Sequence, residues 1–201
     1  MKVLQGFLIF MGVLAVLAVA ALIVGYVLAL LPPDVLANMR PSMPTSEAVD
    51  SLNQKMDDFK KAAVAAAGDT QKAITLTVSE DEINSWAVQN LAEGSLPATK
   101  MQVNFNDGYL LTYTEWNFPW FKAKTGLMGS IDIDNGKPKF VTSDFFLGKL
   151  PLPSDVNSSV EGITNILIKL YTPLDELNLD LKEVTISDGQ IKIVATPRKV
   201  K

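Results

Sequence analysis

Hydrophobic and polar positions divide this chain into stretches of three different periods. From Gly6 to Leu31 no charged residue occurs, and the run GFLIFMGVLAVLAVAALIVGYVLALL is apolar on every side of a helix. At about 1.5 Å rise per residue it reaches roughly 39 Å, more than the ~30 Å of a bilayer's hydrocarbon core, which predicts a membrane-crossing helix. Residues 32–45 (PPDVLANMRPSMPT) hold four prolines and predict an extended stalk. Then the period becomes that of an amphipathic helix: Val49, Leu52, Met56, Phe59, Ala63 and Ala66 share one face, and Gly68 is a natural stop. Such a stripe packs one helix on its own domain, although three heptads of it would also serve as a dimerisation seam.

After Gly68 the period drops to that of strands. Ile74, Leu76 and Val78 alternate with threonines and run into Ser79-Glu80-Asp81-Glu82. That is a capping box, in which Ser79 caps a helix and Glu82 reaches back to the cap N–H. Ile83, Trp86, Ala87 and Leu91 predict its buried face, and the cap explains the three acids without catalysis. Met101, Val103 and Phe105 lead to the turn Asn106-Asp107-Gly108, and a strand follows from Tyr109. A strand from Phe121 runs through Leu127, Ile131 and Ile133 to Asp134-Asn135-Gly136, and residues 139–147 return. Leu179, Leu181, Val184 and Ile186 lead to Asp188-Gly189, and Ile191, Ile193 and Ala195 close the chain. The apolar phase changes between Leu181 and Val184, which predicts a bulge or a break. Between the strand groups, Val156, Val160, Ile163, Leu167 and Leu170 predict a helix over 155–171 capped by Ser154. The fold class expected is α+β: one N-terminal transmembrane helix, then a curved, mostly antiparallel sheet of about seven strands packed around amphipathic helices.

Ala18-Val19-Ala20 offers a signal-peptidase pattern, but the apolar run continues to Leu31, longer than the usual secretory core. The expectation is an uncleaved signal-anchor over 1–31, a stalk over 32–45 and one domain over 46–201. Lys2 on the N-terminal flank and Asp34 on the other keep the N-terminus cytoplasmic and place the domain outside, by the positive-inside rule. The chain holds 18 basic and 22 acidic residues, and every one except Lys2 follows the run. An acidic body without a basic cluster argues against nucleic acid as a partner. The absence of cysteine excludes disulfides and thiol catalysis, and the absence of histidine removes the commonest general base and zinc ligand.

No catalytic or metal motif emerges, and no cofactor is expected. Asp132, Asp134 and Asn135 lack the spacing of a calcium loop and sit at a turn. Asn157-Ser158-Ser159 is formally a glycosylation sequon within a predicted helix. Glu115, Asp144 and Glu161 are scattered, and nothing in their spacing pairs them for hydrolysis. The densest feature is Trp116-Asn117-Phe118-Pro119-Trp120-Phe121 with Lys122 and Lys124. It reads as an aromatic rim at lipid headgroups or a ligand mouth, or else as sheet core split by a bulge.

Thr75-Leu76-Thr77-Val78-Ser79-Glu80-Asp81-Glu82-Ile83-Asn84 resembles the strand-to-helix opening of the YpmS-like family, membrane-anchored bacterial proteins of uncharacterised function. Leu147-Gly148-Lys149-Leu150-Pro151-Leu152-Pro153 and the closing hairpin from Val184 to Ile191 are similar to that family's later segments. The resemblance covers about residues 72–196 and the anchor, and it carries over no catalytic residue. A looser likeness of architecture is to tubular lipid-binding folds, in which a curved sheet wraps a helix. The function expected is therefore non-enzymatic binding of a lipid or other apolar ligand between sheet and helix, with Trp116, Phe118, Trp120, Phe145, Ile163 and Leu167 as candidate lining. Its partners would be the bilayer, that ligand and other membrane proteins. An accessory subunit of a membrane complex is the alternative, and a carboxylate hydrolase the third.

Overall fold

A computed structural model describes residues 2–92, 98–153, 155, 161 and 174–198. Helix α1 (Lys2–Leu30) is followed by a short 3-10 turn (Asp34–Asn38), α2 (Ser46–Ala65), β1 (Ile74–Ser79) and α3 (Glu80–Ala92). Then come β2 (Ala98–Asn106), β3 (Tyr109–Asn117), β4 (Lys122–Asp134), β5 (Lys137–Leu147), the two-residue β6 (Leu150–Pro151), β7 (Leu179–Ser187) and β8 (Gln190–Pro197). The helix predicted over 155–171 falls, apart from Asp155 and Glu161, outside the described residues. Among the described residues one stretch, Val16–Asn38, is long and apolar enough to cross a membrane, which fits a single-pass membrane protein.

The strands form two antiparallel sheets, not one of about seven strands. One has the order β1-β8-β7 and the other β2-β3-β4-β5-β6, its last member being the two-residue edge. The division follows from the connections. The capping box turns the chain out of β1 into α3, so β1 pairs with β8 rather than with β2. Both bonds of the box form: the Ser79 amide donates to Glu82 Oε2 at 2.9 Å, and the Glu82 amide to Ser79 Oγ at 3.2 Å. The sheets meet through hairpin turns, with Gly108 N–H on Ile186 O, Gly189 N–H on Phe105 O and Leu181 N–H on Gly136 O. In β7 the register shifts between Leu181 and Glu183, where the apolar phase changes in sequence.

The face of α2 carrying Leu52, Phe59, Ala63 and Ala66 joins Leu76, Val78, Phe105, Phe140 and Ile186 in one core, so the stripe is used within the chain's own domain. On α3 the expectation fails at one position. Trp86 is 43 % exposed, and the buried place belongs to Asn84, 1 % exposed. A polar residue wins because α3 lies on the edge of β2, whose backbone needs partners. Asn84 Nδ2 donates to Val103 O at 2.8 Å and its Oδ1 accepts from Val103 N at 2.7 Å, as a neighbouring strand would.

The proline-rich segment passes through the 3-10 turn and lies from Pro33 to Arg40 against the outer face of the larger sheet as a strap, and beyond it the Thr45 amide donates to Ser85 Oγ of α3 at 3.1 Å. Pro33 and Val35 are buried. They occupy the notch left by Gly126, where a Cβ would overlap the Val35 side chain. Arg40 closes the strap: its amide donates to Asn104 Oδ1 at 2.7 Å and its carbonyl accepts from Gln102 Nε2. Its guanidinium holds both Glu80 oxygens, at 3.0 and 2.7 Å, donates to Phe105 O at 2.6 Å and pairs with Asp188. Burial pushes the Glu80 carboxyl up, but Arg40 and the Phe105 amide outweigh it and hold it below its ordinary value. Glu82 is held low in the same way, burial being outweighed by Lys55, Ser51 and the Ser79 amide.

Asn84→Ala strands the Val103 N–H and C=O in a buried site, and should cost about 2–4 kcal/mol in urea unfolding of the full chain in micelles. Because Glu80 and Glu82 are depressed in the folded state, their contribution is complete above the unfolded carboxylate value of about 4.3 and is lost as pH falls through the lower folded values. Midpoints should hold steady from neutral pH to about 5 and then fall, more gently in the Glu80→Gln, Glu82→Gln double variant.

Candidate functional site

The bulge in β7 builds an apolar hollow in the body. Without it, Leu181 and Val184 would face opposite sides of the strand; with an extra residue between them both face α2. On the adjacent strands Leu76, Ile191 and Ile193 share that face through the pairs Leu76↔Ile193 and Val184↔Ile193. Met56 and Phe59 of α2 cover it, and Ile131 and Pro138 close it from the larger sheet, with Leu174 at the start of the last chain segment. The result is a cavity of about 200 Å³ whose lining, among the described residues, is apolar alone. Among the described residues no titratable group lines it, so it can hold apolar matter. The acids nearest in sequence to a catalytic cluster, Glu80 and Glu82, are engaged with Arg40 and Lys55 instead.

The residues singled out in the sequence gather elsewhere. Trp116 is the second-last residue of β3, and its indole Nε1 donates to Thr125 Oγ1 at 2.9 Å. Phe118 stacks on Trp116 with ring centres 5.9 Å apart and on Phe121 at 4.8 Å. Residues 118–121 form the turn between β3 and β4, closed by the Phe118 amide on Phe121 O at 3.0 Å. The patch is thus a hairpin turn rather than a continuous strand, because Pro119 cannot donate to a ladder. Trp120 stands 89 % exposed at its tip. Phe145 lies opposite Leu127 on the β4–β5 ladder, half-buried. None of these four lines the cavity. Ile163 and Leu167 lie outside the described residues. Asp134 and Asn135 sit in the β4–β5 turn, with Asn135 and Gly136 at positive φ.

Two features escaped the sequence reading. The cavity-lining residues have the same apolar spacing as residues that fill a core, so no pattern separates them. Arg40 carried a faint signal, since the chain has only two arginines and one stands in the proline-rich segment.

No protein-family model matches the chain, and no curated protein or solved structure matches it either.

An unfilled cavity and a packed core respond oppositely to added volume. Val184→Ile should raise the unfolding midpoint, gaining up to about 0.8 kcal/mol for the extra methylene, whereas a filled core would lose about 1–3 kcal/mol. Thermal unfolding of the full chain distinguishes the two.

Proposed function

We propose that this is a single-pass protein with a cytoplasmic N-terminus and an extracytoplasmic body, and that the body binds the apolar chain of a lipid or a similar ligand without catalysis. The observation that carries the reading is the all-apolar cavity between α2 and the two sheets. Its volume supports a limited ligand. Small-molecule sites usually span about 300–1,000 Å³, and an engineered dry cavity of about 150 Å³ takes up benzene. A space of about 200 Å³ therefore suits one end of an acyl chain rather than a whole two-chain lipid. Burial of about six methylenes is worth roughly 5 kcal/mol before the costs of association, so weak, reversible binding is expected. The orientation rests on Lys2 as the sole charge before the apolar run. The non-enzymatic reading rests on the lack of histidine and cysteine and on the ion pairing of Glu80 and Glu82.

Native mass spectrometry of the full chain, released from micelles after incubation with decanoic acid, tests the binding. One adduct per chain is expected in the wild type and none in Met56→Trp, where the indole fills the cavity from α2. No adduct in the wild type, or equal adducts in both, would overturn the proposal.

A further inference from the structure

We infer that the aromatic turn between β3 and β4 rests in the headgroup layer of the same bilayer that α1 crosses, making a second membrane contact that fixes how the body stands on the surface. The inference depends on α1 being a membrane anchor, as proposed above. It does not depend on the cavity holding a ligand.

Three observations carry it. The first is the exposed chemistry. Trp120 is 89 % and Phe121 48 % exposed, next to the exposed Lys122. Large apolar rings held out on a turn beside lysine suit the boundary between acyl chains and anionic headgroups, where an indole buries its ring and keeps its N–H wet.

The second is distance. The last turn of α1 is joined to the body by hydrogen bonds: the Lys149 amide donates to Leu28 O at 2.9 Å, and the neighbouring Gly148 amide donates to Lys124 O at 2.6 Å. Gly148 has φ +59°, and a Cβ there would run into the Leu28 carbonyl and the Ala29 backbone, so the approach is close. From Lys124 to Trp120 is four residues, about 13 Å even if fully extended. Before Leu28 the helix leaves the body, with Leu22, Ile23 and Val24 all exposed. The membrane boundary thus falls near the level of Lys124.

The third is direction. From Leu28, level with Lys124, the strap moves to Pro33 and Val35 over Gly126, and then to Asn38 beside Met128 and Leu111. Each step goes further along β4, away from residues 118–121. The turn therefore lies at the end of the sheet from which α1 arrives, which is the membrane side.

The chain has no cysteine, so single thiols can be introduced without background. Trp120→Cys, Val64→Cys on the exposed side of α2, and Val19→Cys within α1 are labelled with an environment-sensitive nitrobenzoxadiazole dye. Each full chain is reconstituted in phosphatidylcholine–phosphatidylglycerol vesicles. A lipid with a headgroup-level nitroxide should quench the dye at position 120 several-fold more than at 64, while position 19 responds to a nitroxide deep in the acyl chain. A dye at 120 as water-exposed as that at 64, with 19 still immersed, would overturn the inference and leave the anchor standing. A water-exposed dye at 19 would overturn the anchor reading and this inference together.

Discussion

The outer edge of β2 presents unpaired backbone groups, and in this protein three remote segments converge to satisfy them. Asn84 takes both groups of Val103, Glu80 accepts the Phe105 amide, and Arg40 and Gly189 share the Phe105 carbonyl. An exposed edge would be a template for pairing with another chain. Closing it with side chains from α3 and the strap, and with the β7–β8 turn, gives more than protection. It joins the two sheets at one corner and fixes α3 across it. It also ties the segment after α1 to the body.

Arg40 is central to that arrangement because of its geometry. A planar guanidinium can meet a carboxylate with two parallel bonds and still reach a carbonyl and a second acid. With Glu80 at the first position of α3 and Asp188 in the β7–β8 turn, it spans elements far apart in sequence. Gly126 completes the path: it lets Pro33 and Val35 settle onto the sheet where any side chain would collide. The strap in turn joins α1 to the body at the level of Lys124 on β4. The cavity lies where α2 crosses the junction of the two sheets, on the face opposite the strap.

What the residues announced in advance was local. The apolar run, the capping box at Ser79 and Glu82, the three Asp/Asn-Gly turns and the phase change before Val184 each depend on the conformation of a few neighbouring residues. Helix periodicity placed the stripe of α2 on the core for the same reason. Trp86 shows where that logic ends. Hydrophobicity favoured the indole for the buried face, but the face meets a strand edge, and an edge needs a donor and an acceptor more than it needs apolar area.

The sequence by itself determined that the chain pairs an apolar helix with an acidic α+β body lacking histidine and cysteine, because composition and short-range periodicity suffice for that. Tertiary structure alone decided that the strands split into two sheets, that the proline-rich segment lies down as a strap, and that the aromatic patch becomes an exposed turn. It also decided that Met56, Phe59, Leu76 and Val184 line a hollow rather than fill one. Those outcomes depend on which surfaces meet and how completely they fill the volume between them, and no spacing along a chain encodes a gap.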